Sequence, residues 1–282
     1  VTNYLAKDYE AGYQNWACAQ GSNGEMYFGN SQGLLVYDGY RWTLHKVPGN
    51  HIVRSVYVKE DRIYVGAFEE FGYFKYSEAG TLRYHSLSKF LKNFPMENNE
   101  IWNIVELDGR IYFQSFSAWF SYDGKMVHAF RNRQQQPLYF YTQNGHIYTQ
   151  MIDEDFYEFD RKDFLHLFPR SQVNDDNVVA LLPDGDDSFL MVTENNGLFR
   201  YNGDITPWKT DIDAELKKQR VNRAVMTNDS IFMIGTVLNG IYAIDRKGHC
   251  LWHFNLDNRL DNNTVLGLFC DKDNNVWAAL DD

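Results

Sequence analysis

Apolar and aromatic residues fall into short runs separated by turn residues, and the runs recur as a fixed pair. MYFGN at Met26–Asn30 is followed by GLLVYDG at Gly33–Gly39, and Ile63–Ala67 by Phe71–Gly80. The same pairing returns at Ile111–Ser115 with Ala118–Gly124, and at Ile147–Met151 with Asp155–Arg161. It returns again at Phe189–Thr193 with Gly197–Gly203, and at Ile231–Gly235 with Gly240–Arg246. A further first half, VWAAL at Val276–Leu280, stands at the end of the chain. Runs of this length, rich in aromatic and β-branched residues, predict strands. The first residues of the seven runs are 37, 48, 36, 42, 42 and 45 apart. The mean of about 42 matches four strands per propeller blade.

Each anchor run is preceded by another apolar run and a tip rich in Gly, Asn and Asp, residues that supply the positive φ of tight hairpins. A fourth run follows each second turn, as in RWTLH, LRYHSL and CLWHF. An α/β solenoid would need a helical period in every unit, but only Ser86–Asn93 and Asp213–Arg220 look helical, and both lie in lengthened connections. The predicted fold is therefore all-β, a seven-bladed β-propeller of four-stranded antiparallel blades with an incomplete seventh. The expected blades are 14–48, 51–90, 99–132, 137–170, 177–212 and 221–257, with a partial one at 264–282, all in a single domain over 1–282. Residues 1–13 are expected either to complete the last blade, removing an exposed edge, or to leave it cut short.

Composition narrows the function. The net charge of −11 argues against direct nucleic-acid contact, which needs a basic surface. No apolar stretch reaches the length of a membrane helix. The three cysteines, Cys18, Cys250 and Cys270, lack zinc or disulfide-framework spacing. A bond between Cys18 and Cys270 stays open, against two free core thiols.

AGYQNWACAQ, MYFGNSQGLLVYDGYRW and the repeated GLFRYNG form resemble the periplasmic two-component regulator propellers found in Bacteroidetes hybrid two-component and triple-tyrosine-motif regulators. The resemblance implies an extracytoplasmic, periplasmic sensor domain that binds a ligand, such as a glycan breakdown product, and relays it to a kinase or DNA-binding output domain elsewhere. It also implies a membrane-anchored parent that works as a homodimer. The alternatives are a protein-interaction or dimerisation propeller without a small ligand and, less favoured, a propeller lyase or glycoside hydrolase.

Loops leading into inner strands, and loops between second and third strands, open on one face of a propeller and are its default binding surface. The candidate ligand-binding residues there are Trp16, Asn30, Arg54, Phe68, Glu69, Trp102, Phe116, Trp119, Glu194 and Arg223. Aromatic rings beside amides and charged groups suit an oligosaccharide or a similar small ligand. The recurring Asn residues are also what turns select, and the aromatics also suit burial between blades. Five histidines, His45, His85, His128, His166 and His253, fall in outermost strands of separate blades, too far apart to share a metal ion. Asp271–Asn275 resembles the start of a calcium loop but lacks its glycine and distal Glu, and reads as a hairpin tip. Carboxylate pairs such as Glu69–Glu70 and Asp153–Asp155 are what a glycosidase would need, but no catalytic motif is present. A non-enzyme with no metal and no cofactor is expected.

Overall fold

The computed structural model describes residues 1–131, 133–161 and 163–281. Six four-stranded antiparallel sheets follow one another along the chain, each with its strands in sequence order. The first is β1–β4 (Asn15–Gln20, Met26–Asn30, Gly33–Tyr37, Trp42–His45) and the second β5–β8 (Val53–Lys59, Arg62–Ala67, Glu70–Tyr76, Leu82–Ser86). The third is β9–β12 (Asn103–Leu107, Arg110–Gln114, Trp119–Tyr122, Val127–Phe130) and the fourth β13–β16 (Pro137–Gln143, His146–Met151, Phe156–Asp160, Asp163–Phe168). The fifth is β17–β20 (Val178–Pro183, Phe189–Thr193, Leu198–Tyr201, Ile205–Trp208) and the sixth β21–β24 (Val221–Met226, Phe232–Thr236, Ile241–Ile244, Cys250–Phe254). This serial meander of four-stranded sheets is the blade pattern of a propeller.

The expected count of seven is corrected: six four-stranded blades are present among the described residues. The last strands, β25 (Val265–Cys270) and β26 (Val276–Leu280), form a two-stranded sheet. Residues 1–13 add no strand to it. Their only regular element is a helical turn, α1 (Ala6–Tyr9). The reason is aromatic: Tyr4 and Tyr9 pack on Trp42 of β4 at centroid distances of 5.3 and 5.6 Å. The segment therefore shields the outer strand of the first blade. Both connections read as helical contain helical turns, a 3₁₀ turn at Ser88–Phe90 and the helix α2 (Asp213–Gln219).

The chain divides into two compact units, Tyr4–Phe140 and a second running from Tyr141 onward with Val1–Asn3. In both, apolar clusters form between consecutive sheets rather than inside one. One cluster joins Leu34 and Val36 of β3 to Val53, Ile63 and Phe74 of the second blade. Another joins Leu190 and Val192 of β18, with Leu216 of α2, to Phe232 and Ile234 of β22. The β25–β26 pair packs through Val265 on Met233 and Ile241 in the same way. A sheet two-faced in this manner explains why second strands such as MYFGN and FLMVT read as continuous apolar runs and are buried throughout.

Polar side chains tie four of the blades to the backbone of the element that follows. Ser55 Oγ donates to the Ile101 carbonyl at 2.8 Å, and Asn103 Nδ2 to that of Phe140 at 2.5 Å. The Tyr141 hydroxyl donates to the Val178 carbonyl at 2.8 Å, and Asn222 Nδ2 to that of Val265 at 2.6 Å. Two buried glutamines make double joints. Gln114 donates to the carbonyls of Pro137 and Leu138, each at 3.2 Å, and accepts from the Phe140 N–H. Gln150 donates to the Asp176 carbonyl at 2.9 Å and accepts from the Val178 N–H at 2.8 Å.

The calcium-like segment is a hairpin tip between β25 and β26. Asp271 Oδ1 accepts the N–H groups of Asp273 and Asn275, and Oδ2 accepts the Trp277 indole N–H at 2.9 Å. Burial alone would raise its pKa, but the donors from Trp277, Asn275 and Asp273 prevail and hold it below the ordinary 3.8. A depressed native pKa gives stability above the unfolded value that is lost as pH falls through the native one. Asp271→Asn should therefore cost about 1–2 kcal/mol at neutral pH, and the difference from wild type should close below about pH 4. Urea titrations across that range measure it; a pH-independent difference would contradict the account. No stabilisation by millimolar calcium is expected, since the carboxylate is already saturated with donors.

Candidate functional site

Within Tyr4–Phe140 the structure brings four of the sequence candidates together at one end of three adjacent inner strands. Trp16 in β1 and Arg54 in β5 both fall where the ladder to the second strand skips a residue, between Asn15 and Ala17 and between Val53 and Ser55. Such a bulge turns the extra side chain out of the alternating pattern. Trp102 occupies the matching place ahead of β9, its N–H bonded to the Gln114 carbonyl. The three side chains form a stack. The Arg54 guanidinium carbon is 4.0 Å from the Trp16 ring centroid and 4.9 Å from that of Trp102. Trp102 stacks in turn on Phe116 at 5.8 Å, and Phe116 meets Tyr139 edge-on at 5.7 Å.

Glu100 fixes the arginine. Its Oε1 accepts Arg54 Nε at 2.6 Å, with side-chain exposures of 14% for Arg54 and 21% for Glu100. Arg54 gives no other hydrogen bond to the described residues, and its Nη1 is buried without an acceptor. The Trp16 indole N–H is likewise buried and unmatched. A buried donor without an acceptor costs about 1–3 kcal/mol. The result is a set of ring faces with unmatched buried N–H donors and one carboxylate oxygen, Glu100 Oε2, beside them that accepts nothing from the described residues.

Other candidates lie outside this set. Asn30 is fully buried and saturated by Gly12, Asn15 and the Gln32 N–H, so it shapes the loop. Trp119 is corrected from a loop residue to the first residue of β11, 2% exposed and stacked against Phe130. Phe68 bridges to Glu100 through its backbone and packs on His51, bordering the site. Glu69 accepts the Asn98 N–H at its Oε1 and shapes the same loop. In the second unit, Glu194 binds Arg220 and Asn177. Arg223 donates to the carbonyls of Leu266 and Asn222 and is a joint between strands. The bulge residue there is Asn222, one position earlier. Sequence reasoning missed Glu100 and Tyr139. Glu100 lies beside Trp102 in a loop already singled out, and its charge opposite to Arg54 was the available signal.

The carboxylate pairs are committed locally. Glu70 accepts the Tyr84 hydroxyl and Ser86 Oγ, while Asp155 accepts His166 and the Arg170 N–H. Hydrogen bonds from Arg170 and His166 outweigh partial burial and lower the Asp155 pKa. Two outer-strand histidines stack on their cross-strand neighbours, His253 on Tyr242 at 4.0 Å and His85 on Tyr73 at 4.9 Å, while His45 meets Phe74 of the second blade edge-on at 6.2 Å. No cluster of three His, Cys, Asp or Glu side chains able to hold a metal occurs among the described residues. Among the described residues no helix is long and apolar enough to cross a membrane.

Cys18, Cys250 and Cys270 are free thiols. Dense surrounding protein pushes the Cys18 thiol up to about 12, although the residue as a whole is only half-buried. Cys250 is exposed, with a pKa raised by partial burial and then by Asp211. Alkylation follows thiolate fraction and access. Iodoacetamide at pH 8 should thus modify Cys250 first and leave Cys18 intact until the protein is unfolded, as mass spectrometry of digests would show. Early loss of the Cys18 thiol would contradict this.

The architecture defines a β-propeller of four-stranded blades, and comparison with solved structures agrees. Neither a protein-family model nor a curated protein matches the sequence. The extracellular domain of a protein assigned to the hybrid two-component systems of B. thetaiotaomicron superposes with a TM-score of 0.75 at 18% identity. That match covers 96% of this chain and 37% of the other. A second extracellular domain so assigned, from the same organism, gives 0.71 at 16% identity, over 99% of this chain and 40% of the other. The WD40 β-propeller domain of Doa1 gives 0.73 at 9% identity, over 95% and 90%. The chain spans well under half the length of the two bacterial domains. At these identities the likeness is one of fold.

Proposed function

We propose that this chain is an extracytoplasmic sensor domain of a bacterial signal-transduction regulator, and that it reads a neutral oligosaccharide at the Trp16–Arg54–Trp102 stack. The likeness to extracellular domains assigned to two-component systems supports the sensor role. The observation that carries the ligand class is the unmatched Nη1 donor of Arg54 beside the unbonded oxygen of Glu100, set among tryptophan and phenylalanine rings. A vicinal diol both accepts and donates hydrogen bonds, so one hydroxyl accepts from Arg54 while its neighbour donates to Glu100 Oε2. The ring faces cover the apolar face of the sugar. Because Glu100 already balances the charge of Arg54, the pair favours a neutral ligand over an anion. The domain binds without turning over its ligand, and the parent, membrane-anchored and dimeric, carries the response to a kinase or DNA-binding output.

Thermal-shift and calorimetric titration with a panel of neutral oligosaccharides tests the reading. One glycan class should raise Tm, with affinity falling about tenfold or more in Arg54→Lys, which keeps the charge but loses the planar fork. Glu100→Gln, which removes the acceptor charge, should weaken binding as well. A panel without any stabilising member, or binding indifferent to Arg54→Lys, overturns the proposal.

A further inference from the structure

A second feature of the Tyr4–Phe140 unit lies on the outer strand of the third blade. β12 is the last strand of its sheet, so its outer edge pairs with no strand among the described residues. The lengthened connection after β8 folds alongside it and leaves a cleft of about 420 Å³ between residues 90–94 and 125–129. The floor is apolar: Phe94 is anchored edge-on to Phe120 at 5.4 Å and packs with the cluster that includes Val127 and Ala129. At the rim Phe90 is 57% and Met126 59% exposed, large apolar groups left in water.

The charge around this cleft is opposite to that of the molecule. On a chain of net charge −11, the cleft is lined by Lys92 and Lys125, and Lys89 and Arg131 lie against two of its lining rings. Lys89 lies over the Phe90 ring at 5.0 Å and Arg131 over Phe94 at 4.4 Å. Lys92 and Lys125 are exposed, and neither is paired with a carboxylate among the described residues. Asp123, at the head of the strand, is occupied by the N–H groups of Lys125 and Met126.

A free strand edge offers main-chain hydrogen bonds, and a flanking apolar groove selects alternate side chains of an incoming strand. Cations at the rim select carboxylates. The geometry points to this cleft as the docking site of an extended acidic peptide segment, which adds to β12 as a fifth strand. Its apolar side chains rest on Phe90, Phe94 and Met126, and its carboxylates face Lys92 and Lys125. By contrast, the outer strand of the first blade is covered by the chain's own Tyr4 and Tyr9. The inference is independent of the sugar site, which uses the other end of the sheets' strand order.

The test is fluorescence anisotropy with a fluorescein-labelled peptide of alternating Val and Glu, titrated with the whole chain. Three controls run beside it: a Val/Lys peptide, a Val/Glu peptide interrupted by Pro, and dextran sulfate. Phe90→Ser and the double change Lys92→Glu with Lys125→Glu alter exposed side chains, and unchanged Tm values verify their folding. Saturable, salt-sensitive binding of the Val/Glu peptide is expected. It should weaken at least about tenfold in either variant and with the Pro peptide. Equal binding of the Val/Lys peptide, equal binding of the Pro peptide, or no binding at millimolar protein overturns the proposal. So does capture of dextran sulfate alone. Concentration-dependent self-association that Phe90→Ser abolishes, without peptide binding, would reassign the cleft to a second copy of this chain.

Discussion

Gly240→Ala is expected to destabilise the protein by about 3–5 kcal/mol, far more than a surface glycine replaced elsewhere. Gly240 directly precedes β23 and has φ of +70°, a conformation that costs an L-residue about 1–2 kcal/mol. Space adds a larger penalty. A Cβ there would lie 2.0 Å from the Phe254 carbonyl oxygen, a backbone atom of the outer strand that cannot move without shifting β24. Gly203→Ala separates the two effects: φ is +95°, yet nothing lies within 4 Å of the added carbon. That variant should lose only about 1–2 kcal/mol. Urea denaturation of both variants measures the contrast, and equal losses would show that backbone conformation alone selects glycine at the start of the third strand.

Gln150→Leu should cost about 2 kcal/mol while nearly conserving volume. Gln150 is 1% exposed, and its amide holds both the Asp176 carbonyl and the Val178 N–H. Leucine leaves the Val178 N–H buried and unpaired, at about 1–3 kcal/mol, and leaves the Asp176 carbonyl only its 3.3 Å bond from Arg170 Nε. Hydrogen exchange gives a readout that a simple packing defect would not produce. The Val178 amide should lose protection by much more than its neighbours in β17. Gln150→Glu restores the acceptor for Val178 but sets a second oxygen against the Asp176 carbonyl, so it should not rescue stability. A Val178 amide as well protected in the leucine variant as in wild type would show that the glutamine is not its partner.

The strands were legible from the sequence because their signal is local. Runs such as MYFGN and FLMVT coincide with β2 and β18 since a strand packed on both faces must be apolar at consecutive positions. Gly and Asn at the tips mark turns for equally local reasons. The count of blades was not legible. The tyrosines of residues 1–13 look as suitable for a strand as for a cap, and only their packing on Trp42 distinguishes the two. The site was half legible. Trp16, Arg54, Trp102 and Phe116 were among the aromatic and charged residues of the loops expected to form the binding face. That Arg54 pairs with Glu100, 46 residues on, follows from the stacking of two blades and leaves no local spacing. Trp119 misled because the loop before it is short, and one residue decides between solvent and core.

The joints between blades carry one more implication, about how such a chain can grow. Ser55, Asn103, Gln114, Tyr141, Gln150 and Asn222 all reach from one blade to main-chain atoms of the next. A main-chain acceptor is the same whatever residue bears it. A unit copied within the gene therefore brings its own fastener and finds a ready anchorage in any successor, without matched changes on the other side. The fasteners themselves differ, as hydroxyl, carboxamide or phenol, which is what independent drift of copies leaves behind. Lineages built this way can lengthen, and let their blades diverge until little but the turn glycines and the strand rhythm records the common origin.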